Sequence, residues 1–142
     1  MTDAERFVER FARIWQKPEP DAYADLWHGE GTLLHPGMEA PIPAPEIPDY
    51  VRRILRAAPD IRLDVESWAA SQDIVLIEWT ITTTIAGEER RWGGADRFTL
   101  RGDRAVEGVA YFDTLPLWAA VDPSLQRGEL LDYAPQETGS TS

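Results

Sequence analysis

Apolar residues recur at helical spacing in the first part of the chain and at every second position from residue 61 onward. Phe7, Val8, Phe11, Ile14 and Trp15 share one face of a helix predicted over 3–16, which Thr2 or Asp3 can cap and Pro18 and Pro20 stop. A second, short helix is predicted over 21–27, with Tyr23, Leu26 and Trp27 on its buried side. Gly29 and Gly31 then break the pattern into a short strand, 32–35. Five prolines between 36 and 48 predict an extended loop unable to pair inside a sheet. A third helix is predicted over 46–57, carrying Ile47, Tyr50, Val51, Ile54 and Leu55 on one side, with Pro59 after its end.

Beyond it the period is two. Ile61, Leu63 and Val65 alternate with polar residues, and long strands are predicted over 73–85, 89–100 and 104–115. Turns at Gly87-Glu88 and Gly102-Asp103 make these an antiparallel meander, which Pro116 ends. One amphipathic stretch follows at 125–131, and the polar residues 136–142 are predicted to be disordered. Helices first and a meander afterwards predict an α+β domain over 1–121 with a tail over 122–142. The curved sheet would wrap the three helices as a cone and enclose an apolar pocket, with Gly93-Gly94 letting one strand bend.

Composition narrows the chemistry. Apolar residues make up 43% of the 142 positions, as in a folded globule. The formal charge of −11 disfavours nucleic acid and anionic membrane surfaces as partners. No apolar run approaches the ~20 residues that span a bilayer. The start of the sequence has neither a basic region nor an apolar signal core, so a cytoplasmic location is expected. Cysteine is absent, which removes disulfides and thiolate chemistry. Two histidines seven residues apart make no metal set, and no phosphate loop or nucleophile elbow is present, so neither metal nor cofactor is implied.

Three stretches carry a family resemblance: 26–36 (LWHGEGTLLHP), 94–104 (GADRFTLRGDR) and 106–113 (VEGVAYFD). With the order of elements they resemble the nuclear transport factor 2-like superfamily, specifically its SnoaL-like and ketosteroid-isomerase-like enzymes, over roughly residues 3–120. The resemblance implies that Asp96 stands where those isomerases keep a protonated aspartic acid, and His35 where they keep their aspartate base. Trp27 falls on a pocket tyrosine, and Phe11 on the main oxyanion-hole tyrosine. A phenylalanine there removes a donor and turns the reading from steroid isomerase toward cyclase or dehydratase chemistry. Related hydrolases use an acid on the last strand, but the matching residue here is Ala110.

The residues can be weighed without the resemblance. Period two places Asp96 on one strand face with Trp92, Gly94, Phe98 and Leu100, an acid alone among apolar neighbours. Such a carboxyl should keep its proton and act as an acid or hydrogen-bond donor; the rival reading pairs it with an arginine such as Arg90 or with backbone donors. His35, at a strand end before Pro36, is the matching base, unless a backbone carbonyl merely satisfies it. Trp79, Ile81, Trp92, Phe98, Ala110 and Phe112 are expected to wall the pocket, with ordinary core packing as the alternative. About half of the six tryptophans should face it, and Tyr50 can supply the donor missing at Phe11. Two functions follow: an acid–base enzyme (isomerase, aldol cyclase or dehydratase) acting on a small apolar carbonyl compound, or a ligand-binding or dimerisation module without chemistry. Ile74, Leu76, Glu78, Thr80 and Thr82, on the outer face, offer a homodimer surface.

Overall fold

The computed structural model describes residues 1–125. Thr2 opens α1 (Asp3–Ile14) through a capping box: its hydroxyl accepts from the Glu5 amide at 3.0 Å, and the Glu5 carboxylate accepts from the Thr2 amide. Phe7, Val8 and Phe11 form the buried side of this helix. Pro20 starts α2 (Pro20–Ala24) at its first turn, where a missing N–H is harmless. The chain then enters β1 (Trp27–Leu34), which begins earlier than the sequence pattern places it. Its glycines lie inside the strand, where the β1 register shifts between Trp27 and Thr32, and do not mark its start.

Residues 36–48 are not wholly a loop. Ile42–Pro43 form a two-residue strand, β2, on β1, and proline is tolerated there because β2 is the outermost strand of the sheet. A single 3-10 turn (Ala44–Glu46) leads into α3 (Ile47–Ala57), whose Ile47 and Val51 are fully buried. Four antiparallel strands follow: β3 (Arg62–Ser71), β4 (Ile74–Ile85), β5 (Glu88–Arg101) and β6 (Arg104–Phe112). The β4–β5 turn falls at Ala86-Gly87, one residue before its predicted place; φ is 53° and 79° there, as a two-residue hairpin demands.

The sheet runs β2-β1-β6-β5-β4-β3, six curved strands that do not close on themselves. The meander is antiparallel, but β1 pairs with β6 in parallel, covering the edge that the meander leaves open. A fourth, unexpected helix, α4 (Leu115–Val121), follows where Pro116 was expected to end the sheet. Proline in a first turn starts a helix as readily as it stops a strand. The expected amphipathic stretch at 125–131, Leu125 apart, and the tail at 136–142 lie outside the described residues. No helix among the described residues is long and apolar enough to cross a membrane.

The closed end of the cone is aromatic. Phe98 lies 4.8 Å from Phe7, 5.5 Å from Phe11 and 5.9 Å from Trp27 between ring centroids, all edge-on. Phe7, Phe11 and Phe98 are essentially inaccessible, and each such burial is worth about 1.5–3 kcal/mol. Gly108 belongs to this cluster, since a Cβ there would lie 2.5 Å from the Trp27 ring and 3.0 Å from Phe98.

Candidate active site

Above the aromatic floor the cone is hollow. A cavity of about 440 Å³ lies between the sheet and the helices, within the range of small-molecule sites. Tyr23 (α2), His35 (just beyond β1), Tyr50 (α3), Trp79 (β4), Trp92 and Asp96 (β5) line it, with Ala110 and Phe112 from β6 and Ile81 from β4. Leu117 and Val121, one turn apart on α4, also line it. Among the described residues no cluster of three or more His, Asp or Glu side chains could hold a metal ion.

Asp96 is held by alternation: Ile77 on β4 and Ala110 on β6 flank it directly, so it shares the inner face. It is 9% exposed and has no cation partner among the described residues. The expected rival, Arg90, is taken by Glu88 at 2.9 Å. Burial therefore governs the carboxyl and pushes its pKa up to about 7. The nearby Trp79 indole favours the anion, but its N–H is not aligned on any acceptor.

His35 moves the other way. Burial lowers its pKa and Arg53 adds to this, while the Pro36 carbonyl opposes it. That carbonyl lies 3.0 Å from Nδ1 and can only accept, so in the neutral ring Nδ1 carries the hydrogen and Nε2 keeps the lone pair. The ring packs 5.1 Å from Tyr50 and 6.2 Å from Phe112. Burial also raises the phenol pKa values of Tyr23 and Tyr50, and the charge of Asp96 raises both further. The site thus collects protonated oxygen donors and one neutral base in an apolar chamber. That set can polarise a carbonyl and move a proton.

Of the residues expected to line the pocket, Tyr50, Trp79, Ile81, Trp92, Ala110 and Phe112 do so together with Asp96 and His35. Phe11, Trp27 and Phe98 do not. They pack on one another in the floor, where large rings fill the narrow end of the cone, and none reaches the cavity wall. Three of the six tryptophans, Trp15, Trp79 and Trp92, line the cavity. Tyr23 was missed as a site residue. The signal was present, since a phenol on the buried side of a helix needs a polar neighbour. Thr83 also lines the cavity and is anchored outside it: its hydroxyl donates to Asp60 at 2.6 Å, and Thr84 donates to the same carboxylate through its amide and hydroxyl.

A curved open sheet closed by helices over a chamber with a buried acid defines the cone-shaped α+β pocket proteins. The SnoaL-like domain family matches residues 8–108, and the chain belongs to that family. An NTF2-like protein of unknown function from Burkholderia pseudomallei superposes with a TM-score of 0.77 at 15% identity, covering 86% of this chain and 99% of that one. An LEH-like epoxide hydrolase of M. tuberculosis gives 0.67 at 20%, covering 89% and 96%. A candidate polyketide cyclase from Acidithiobacillus ferrooxidans gives 0.70 at 19%, covering 87% and 94%. At these identities the likeness is one of fold. No curated protein matches the chain.

Proposed function

We propose that the chain is an acid–base enzyme acting on a small apolar carbonyl compound, with isomerisation, aldol cyclisation or dehydration as the reaction. The observation that carries this reading is Asp96: a carboxyl buried in an apolar chamber, without a cation among the described residues, and poised to hold its proton near neutrality. Asp96 donates to the carbonyl oxygen, with Tyr23 and Tyr50 as further donors. His35, neutral and free at Nε2, removes a proton from the adjacent carbon. The aromatic walls orient the substrate and keep water from the developing enolate. The hydrolase neighbour does not extend this reading to epoxides, because Ala110 offers no acid on β6.

The test uses small cyclic enones and aryl ketones in D2O, followed by NMR for isomer, dehydration product or deuterium on the α carbon. Asp96→Asn and His35→Gln should each lower the rate by about 10²-fold or more. Ketones that quench tryptophan fluorescence in the cavity yet exchange no proton would refute catalysis. The protein would then be a binding module.

A further inference from the structure

We propose that Trp79 is the positioning residue for the Asp96 proton: its indole N–H turns onto the carboxylate when that group has given its proton to the substrate. The part this plays in turnover rests on the acid–base reading above; the coupling of the two side chains does not.

The geometry comes from the ladder. Trp79 stands opposite Gly94 and Ile77 opposite Asp96, so Trp79 and Asp96 are diagonal neighbours on the inner face, a spacing that large side chains bridge. Gly94 has no side chain, and the indole occupies the vacated space. A Cβ at Gly94 would lie 2.5 Å from Cη2 of Trp79 and 2.8 Å from Cζ2. Cζ2 is on the nitrogen side of the six-membered ring, and the indole N–H lies near enough to the Asp96 carboxyl to favour its anion. From β6 the Phe112 ring packs against the indole at 5.9 Å and 58°, which holds it in place. Trp79 is 2% exposed, and its N–H is buried without an acceptor.

A buried donor without a partner calls for a reason. Here the reason is a second state of its neighbour. Protonated, Asp96 directs its own hydrogen at a ligand oxygen. When the O–H bond breaks, the electron pair stays on the carboxylate and the proton passes to the substrate oxygen, while His35 takes a proton from carbon. The new anion then lies in an apolar chamber with no cation partner among the described residues. The groups facing it from other elements are Tyr23 on α2 and Tyr50 on α3, with His35 beyond β1 and Arg53 acting on His35 and Tyr50. The two phenols are engaged by the ligand in the reading above, and of the three buried, unpartnered indole N–H groups that line the chamber (Trp15, Trp79 and Trp92) Trp79 is the one that acts on the Asp96 carboxyl.

Two measurements on the full chain test this. In the unaltered protein, the Trp79 indole 1H–15N resonance should titrate with the same midpoint as the Asp96 carboxyl carbon. In Asp96→Asn that titration should vanish. In Trp79→Phe, which keeps an aromatic ring but no N–H, the Asp96 midpoint should rise by about one to two pH units, the equivalent of one hydrogen bond to a charge. An indole resonance that stays flat through the Asp96 titration would overturn the proposal even if Trp79→Phe failed to fold, and so would an unchanged midpoint in a folded Trp79→Phe. Matching titrations in a protein that turns over no ketone would instead leave the coupling intact and refute the enzymatic reading alone.

Discussion

Asp96 connects site chemistry to stability at the scale of one residue. Its folded pKa of about 7 stands above the ordinary 3.8, so its bound proton contributes stability that is complete below the unfolded value and lost as the pH rises through 7. A displacement of that size corresponds to about 4 kcal/mol, an upper figure for what charging the group withdraws from the fold. Asp96→Asn, nearly isosteric and never charged, should therefore raise the melting temperature at about pH 8.5 and leave it nearly unchanged at about pH 4. Thermal melts at both pH values check this; an equal effect at both would mean that the carboxyl is ionised and satisfied throughout. Asp60 has the opposite sign. Hydrogen bonds from Thr83 and Thr84 hold its pKa down to about 2, so its contribution is present above the unfolded value and lost as the pH falls through 2. Asp60→Asn should accordingly remove a stabilisation seen at neutral pH and absent in strong acid, measurable by the same melts.

At the scale of elements, the strands show what was legible and what was not. Period two put Ile77, Trp79, Ile81 and Thr83 on one shared face and singled out Asp96, because alternation is strictly local; the family resemblance was needed to make that face the inner one. Pairing is not local: nothing in 27–34 announces a parallel partner some seventy-five residues later, and that pairing decides which strand lies beside β1. Depth in the cone escaped for the same reason. Phe98 and Asp96 share a face, yet one is floor and the other chamber wall, because Phe7 and Phe11 of α1 and Trp27 at the start of β1 fill the space around Phe98. The role expected of Gly93-Gly94 is also refined. A Cβ at Gly93 would meet only the Trp79 carbonyl at 3.6 Å, whereas one at Gly94 collides with the Trp79 ring. Gly108 is as crowded by one ring, at 2.5 Å from Trp27 with Phe98 at 3.0 Å, and both rings are walled in by the core. Gly108→Ala should cost about 1–3 kcal/mol by overpacking, with Gly93→Ala close to neutral. Urea unfolding compares them; equal losses would show that backbone bending, not ring space, requires the glycines.

For the molecule as a whole, the open question is what covers the outer face of the sheet. Ile74 and Leu76 on β4 are 37% and 49% exposed, and Tyr111 on β6 is 55% exposed. The register places Ala95, between Leu76's neighbour Glu78 and Tyr111, on the same outward side, so the apolar positions run across three strands. An Arg97–Glu107 ion pair at 3.1 Å and a Ser67–Glu78 hydrogen bond at 3.1 Å interrupt the patch without covering it. A second copy of the chain fits such a surface, because a two-fold axis sets the apolar patch against the same patch and needs no different partner. The charge opposes this. At −11 per chain, two copies repel, and only screening relieves the repulsion. The prediction is therefore a homodimer whose dissociation constant falls as salt is added. Leu76→Glu, which adds like charges across the axis, should yield a monomer with its chamber intact. Sedimentation velocity across a salt series checks both statements, and tryptophan quenching by a bound ketone confirms that the variant keeps its cavity. A native chain that stays monomeric at high salt would refute the outer-face dimer while leaving the chamber chemistry untouched, since Asp96, His35, Tyr23 and Tyr50 line the chamber on the inner side of the sheet.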